Sequence, residues 1–141
     1  MAFVDDDKMA AELVALAKAN TGISATSATV ATWCDMATAV GTKMLVLRSV
    51  AEPFLRGANG KPTAWKSVVT ALIQSSCDDD KDGSKASALA SAVIAFIGGI
   101  SYSSLSTSIS ATVHHVSATD LNSNITEGYH VREIMFDVHY V

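Results

Sequence analysis

The chain has 141 residues, of which 49% are hydrophobic, 17% charged and 6% aromatic, with formal charge −4 and two cysteines. That length suits one domain around one core, and a charged fraction below the roughly 25% of an average domain excludes a disordered polyelectrolyte. Eight glycines and two cysteines are too few for a collagen, a disulfide-framed miniprotein or a zinc array.

The apolar content is largely Ala and Val, interleaved with Ser and Thr. Small side chains bury little area each, at roughly 25 cal/mol per Å², so a monomer of this size is only moderately stabilised and keeps apolar surface for a partner. Acidic charge is clustered at Asp5, Asp6 and Asp7, and again at Asp78, Asp79, Asp80 and Asp82. From Lys43 to Lys66 the balance reverses, where Lys43, Arg48, Arg56, Lys61 and Lys66 face only Glu52. Opposite charge on separate segments suits head-to-tail contacts between copies. Net acidity argues against specific nucleic-acid binding. The first residues carry neither a basic region nor a hydrophobic run, so synthesis in a cytoplasm without a signal peptide is expected.

In chain order, the first predicted helix covers Asp5–Thr21, with Met9, Leu13 and Leu16 on one face and Gly22 as its C-cap. A second covers Ala28–Ala51, where Val30, Trp33, Ala37, Val40 and Met44 recur at helical steps; Lys43–Val50 is open to a strand reading. Gly57–Pro62 is the clearest turn. Thr63 then caps a third helix over Ala64–Ser76, with Trp65, Val68, Val69, Leu72 and Ile73 inward. An acidic loop, Asp78–Gly83, leads to a fourth helix over Ser84–Ile97. Both cysteines fall in helical segments and read as reduced core residues.

No charge occurs from Ala86 to Val113. The apolar run is shorter than the roughly 20 residues of a membrane span and passes through Gly98-Gly99 into a serine-rich stretch. A buried helix is expected and no membrane partner, with a membrane-active protein using Ala88–Leu105 as an alternative. The period then changes to two. Leu105–Val116 and Tyr129–Val141 read as strands of a hairpin that sets Ile109 opposite Phe136 and Ala111 opposite Ile134. The predicted fold is therefore α+β: a mainly helical domain of about four helices at 1–103, then a C-terminal β-hairpin at 104–141 packed on the helices or at a subunit interface.

Asp78, Asp80, Asp82 and Gly83 fit the opening of an EF-hand loop, but residue 89, where a bidentate Glu belongs, is Leu. A small binding module built on this degenerate loop is a second alternative. As metal ligands the three aspartates are weak candidates, and no metal is expected. His115 opposite His130 makes a two-histidine site with no third ligand in view. Gly57 and Gly60 enclose two residues where a phosphate loop needs four. No cofactor motif and no grouped acid, base and nucleophile occur, so no cofactor and no catalysis are expected.

The terminal strand suggests assembly. Its outward set is Val131, Glu133, Met135, Asp137, His139 and Val141, which mixes apolar and charged residues. As a final strand it leaves an unblunted edge for another copy. The size, the order of helices then hairpin, and the alternating strand Val131–Val141 loosely resemble bacteriophage head-tail connector, tail-terminator and tail-completion proteins. The resemblance implies a ring-forming structural subunit of a virion neck or tail. Its partners would be copies of itself and other virion structural proteins.

Overall fold

The computed structural model describes residues 3–32, 42–47, 51–126 and 128–141. Its backbone is organised on β4 (Pro62–Ser76), whose fifteen residues span ~50 Å at a rise of ~3.3 Å each. One edge of β4 pairs antiparallel with β6 (Tyr129–Tyr140), from Trp65↔Tyr140 to Ser76↔Tyr129. Two strands share the other edge in tandem: β2 (Lys43–Leu47) lies along residues 70–74 and β3 (Ala51–Arg56) along 62–67. β1 (Thr29–Thr32) adds parallel to β2, and β5 (Val113–Thr126) antiparallel to β6. Among the described residues this makes a six-stranded sheet ordered β1-β2-β4-β6-β5, with β3 beside β4.

Cross-strand partners share a face, and one face is the core. It carries Ser67, Val69, Ala71, Ile73 and Ser75 of β4, with Ile134, Phe136, Val138 and Tyr140 of β6, all buried. Onto it pack α1 (Asp6–Ala19) through Met9, Leu13 and Ala17, α3 (Ser84–Gly98) through Leu89, Val93 and Phe96, and α4 (Tyr102–Ile109) through Leu105 and Ile109. The short α2 (Thr21–Ser24) adds Ile23. Tyr140, fully buried, ties the N-terminal segment down: its hydroxyl accepts from Val4 N–H at 3.2 Å and donates to Val4 C=O at 3.4 Å.

The class is α+β, but the expected helical domain followed by a hairpin is contradicted: strands are spread through the chain and meet in one sheet. Residues 64–76 form β4, not a helix. The helical spacing of Val68, Val69, Leu72 and Ile73 arises because both faces of this central strand carry apolar residues, which erases alternation. Its β-branched Val68, Val69, Thr70 and Ile73 favour the extended chain. The expected helix over Ala28–Ala51 contains β1, β2 and the first residue of β3; residues 33–41 and 48–50, including Trp33 and Cys34, lie outside the described residues.

The expected strand Leu105–Val116 is also corrected. Leu105 and Ile109 are four apart and share a buried helical face. Ser101 caps α4, its Oγ accepting from Ser104 N–H at 3.3 Å, and Ser110 at φ +56° ends it. The strand begins at Val113, so Ala118 and Leu121 stand opposite Phe136 and Ile134, where Ile109 and Ala111 were expected. Residues 117–126 extend β5, and Gly128 at φ +80° lies in the tight connection to β6. The expected first helix stops at Ala19, before Gly22, because the Asn20 side chain accepts from Ile23 N–H at 3.0 Å and starts α2.

Phe136 is 1% exposed at the centre of this face. Phe136→Ala should cost about 3–5 kcal/mol in urea unfolding, since the surrounding sheet and α3 cannot collapse into the space.

Candidate functional site

Five of the six residues expected at an interface, Val131, Glu133, Met135, Asp137 and His139, occupy alternate positions of β6 on the face away from the core. The sixth, Val141, lies beyond the strand, exposed, with its backbone paired to Thr112. β6 is not an edge, however. β4 and β5 flank it on both sides, so these residues offer side chains, and the unblunted edge expected of the last strand belongs to β5.

β4 extends the same face. Register sets Lys66, Val68, Thr70, Leu72 and Gln74 beside His139, Asp137, Met135, Glu133 and Val131. Lys66 Nζ bridges to Glu52 Oε1 of β3 at 3.0 Å, and that contact raises the lysine pKa. The Phe54 ring meets His139 edge-on at 4.5 Å, and His139 meets His115 of β5 at 5.6 Å. Burial lowers the His139 pKa, helped by His115 and Lys66 and opposed by Asp137. The expected partner of His115 is thus corrected from His130 to His139, because β5 starts later than its alternation suggests. Sequence reasoning missed Lys66, Val68, Leu72 and Phe54 on this face; the β-branched run Val68-Val69-Thr70 after a Gly-Pro turn was the available signal.

The acidic loop has a different role. Asp80 is 2% exposed. Its carboxylate accepts from Ser75 Oγ at 2.6 Å, Lys85 N–H at 3.1 Å and Ala86 N–H at 3.0 Å. Those amides are the open donors of the first turn of α3, so Asp80 caps that helix from inside the protein. Burial alone would raise its pKa; the bond from Ser75, the Ala86 and Lys85 amides and the charge of His130 outweigh it and hold the group at about 2. Asp82, exposed, accepts from Ser84 N–H at 3.0 Å, and Asp78 is exposed with its amide on Ser76 Oγ. The three aspartates therefore do not converge, and Leu89 is fully buried in the core. Among the described residues no group of three or more His, Cys, Asp or Glu is placed to hold a metal ion.

Ser75, Asp80 and His130 bring a hydroxyl, a carboxylate and an imidazole together, but in the wrong order for a nucleophile. The serine donates directly to the carboxylate, leaving His130 Nε2 buried without a partner. Gly83 fits this corner: its φ is +76°, and a Cβ there would lie 3.1 Å from His130 Nδ1. An open cleft of ≈ 330 Å³ between α1, α2 and β1 has Lys18 as its charged group. Among the described residues no single helix is long and apolar enough to cross a membrane; α3 and α4, which contain most of Ala88–Leu105, meet at 85°.

No family model matches the chain, and no curated protein is similar to it. A solved structure whose designation describes no function is similar in fold, with TM-score 0.54 and 17% identity over 95% of each chain. That likeness concerns the fold alone.

Two stability effects follow from the Asp80 corner. Asp80→Ala leaves a buried hydroxyl and two amides unpaired and should cost about 2–3 kcal/mol at neutral pH. A native pKa of about 2 against an ordinary 3.8 makes this contribution complete above the unfolded value and lost as pH falls toward the folded one. The gap between Asp80→Ala and wild type in urea unfolding should therefore be constant from neutral pH down to about 5 and narrow below about 4. Gly83→Ala, strained at positive φ and crowded by His130, should cost about 1–2 kcal/mol by the same assay.

Proposed function

We propose that the chain is a self-assembling structural subunit, acting without catalysis, in a ring of the kind that forms the neck or tail of a virion. One observation carries this reading: the helices cover one face of the sheet, and the other face sets Val68, Leu72, Val131 and Met135 among only a few charges. None of the described helices packs on that face, where Val68, Val131 and Met135 are half-buried. A second copy covering that face would remove its apolar area from water at roughly 25 cal/mol per Å².

The sheet edge supports the same reading. β5 pairs with β6 on one side and ends the strand order among the described residues. Its fourteen residues include no Pro, Lys or Arg, the usual means of blunting an edge against further pairing. Two register irregularities, near Val113 and Ala118, interrupt its pairing with β6. Heterologous contacts of this kind close into rings when each surface meets its complement on the next copy.

Native mass spectrometry and light scattering of the intact protein test the proposal. The expected result is one discrete oligomer that persists on dilution through the micromolar range. A single-chain mass at high concentration would overturn it.

A further inference from the structure

The hairpin of β3 and β4 projects past the rest of the sheet. β6 ends opposite Trp65, so residues 55–64 extend beyond it. Phe54 and Leu55 on this finger are 51% and 56% exposed, although an apolar side chain of that size is normally covered. The tip is held in one shape. Gly57 N–H donates to Lys61 C=O at 2.9 Å, Gly60 N–H to Gly57 C=O at 3.0 Å, and Lys61 N–H to Asn59 Oδ1 at 3.1 Å. Arg56 closes it, its guanidinium donating to Gly60 C=O at 2.8 Å. Such a finger meets a partner with its ordering cost already met in the free protein.

Charge identifies what it meets. No acidic residue occurs from Pro53 to Cys77, and the finger carries Arg56 and Lys61. The open face of β4 and β6 carries Glu133 and Asp137, while its lysine, Lys66, is bridged to Glu52. Finger and face thus match in both respects, apolar against apolar and basic against acidic. Phe54, at the base of the finger, rests edge-on against His139 at the near end of its own chain's face, but the tip cannot reach the middle of that face. Thr70, beside Met135 at the middle of that face, lies eight residues along β4 from Pro62, ~26 Å at ~3.3 Å per residue.

We infer that the finger, through Phe54, Leu55, Arg56 and Lys61, seats on the open sheet face of a second copy, around Val131, Glu133, Met135 and Asp137. This rests on the self-assembly reading and adds which surface meets which. Because the two surfaces are different patches of one chain, the contact is heterologous: every copy gives one finger and receives one.

Two variants test this. Phe54→Ser with Leu55→Ser removes the finger's apolar residues, and Glu133→Lys with Asp137→Lys reverses the face. All four positions lie outside the core, and circular dichroism checks that each variant folds. Each variant alone should have a single-chain mass. An equimolar mixture should give a heterodimer and stop there, because only one finger and one face remain competent. Variants that keep the wild-type oligomer, or a mixture that stays at single-chain mass, would overturn the inference and leave self-assembly standing. A wild-type protein that is itself monomeric would overturn both. Should a variant fail to fold, zero-length carbodiimide cross-linking of mixed light and heavy wild-type protein decides. Peptides joining Lys61 of one isotope to Glu133 or Asp137 of the other support the contact, and their absence from a cross-linked oligomer overturns it.

Discussion

The register of β4 is the constraint on which the rest of this molecule depends. Three strands, β2, β3 and β6, pair directly with it, and β1 and β5 attach through two of those. A slip of one residue would turn Val69, Ala71 and Ile73 outward and drive Lys66 and Gln74 into the helix layer. Burying an unpaired lysine and an amide costs several kcal/mol beyond the lost apolar burial, so one register dominates. Size as well as polarity is matched at this centre. Ala71 lies beside Ile134, and Ser67 beside Val138, so small residues on β4 alternate with large ones on β6. That relief accommodates α3, which brings its own mixture of Ala86, Ala90, Leu89 and Phe96. The small-residue composition is therefore a packing device: it lets a helix lie close to a sheet.

The acidic loop secures that helix to that sheet. Ser75 belongs to β4, the Lys85 and Ala86 amides to α3, and His130 to β6, and Asp80 interacts with all three. A carboxylate in this position satisfies the open amides of a helix whose N-cap residue, Gly83, has no side chain to cap them. Aspartate at that spacing before a helix also opens a calcium loop, which is why the sequence pattern is ambiguous. Burial separates the two uses. A calcium ligand must keep its oxygens available to the ion, whereas those of Asp80 are occupied by protein donors.

Much of the periphery was legible and the middle was not. β6 alternates strictly, since its outward face is polar enough to show the period, and its limits and buried set are close to those read from sequence. α1 and α3 are amphipathic or uniformly apolar over lengths that only a helix uses, and the Gly57–Pro62 turn is chemically explicit. β4 failed because a strand with apolar residues on both faces has no period of its own, and chance spacing then imitates a helix. Leu105–Ile109 failed in the opposite sense: Leu105, Thr107 and Ile109 alternate, yet the residues that matter are four apart. Pairing partners distant in sequence, such as β4 with β6, leave no local trace at all. The outward residues of β6 could be named because they alternate. The half of the face contributed by β4 and the finger was hidden by the helix reading.

The mixed character of that face bears on how a ring would form. Glu133, Asp137, Lys66 and Glu52 keep it hydrated, and exposed ion pairs contribute only about 0–1 kcal/mol each, so a single finger-to-face junction is a modest interaction. Modest junctions suit a closed assembly. A linear chain of copies has one junction fewer than its number of subunits, and closure adds the missing one without immobilising another molecule. That last contact forms at the high effective concentration set by its already tethered ends. In such a ring strength would come from closure, while a rigid finger would limit the angles at which neighbours meet and so the ring sizes that can close. A drier, more apolar face would bind a first neighbour tightly in any orientation and trap incomplete arcs. The charges on β6, at a modest cost in affinity, would favour the one approach in which Arg56 and Lys61 meet Glu133 and Asp137 of the next copy.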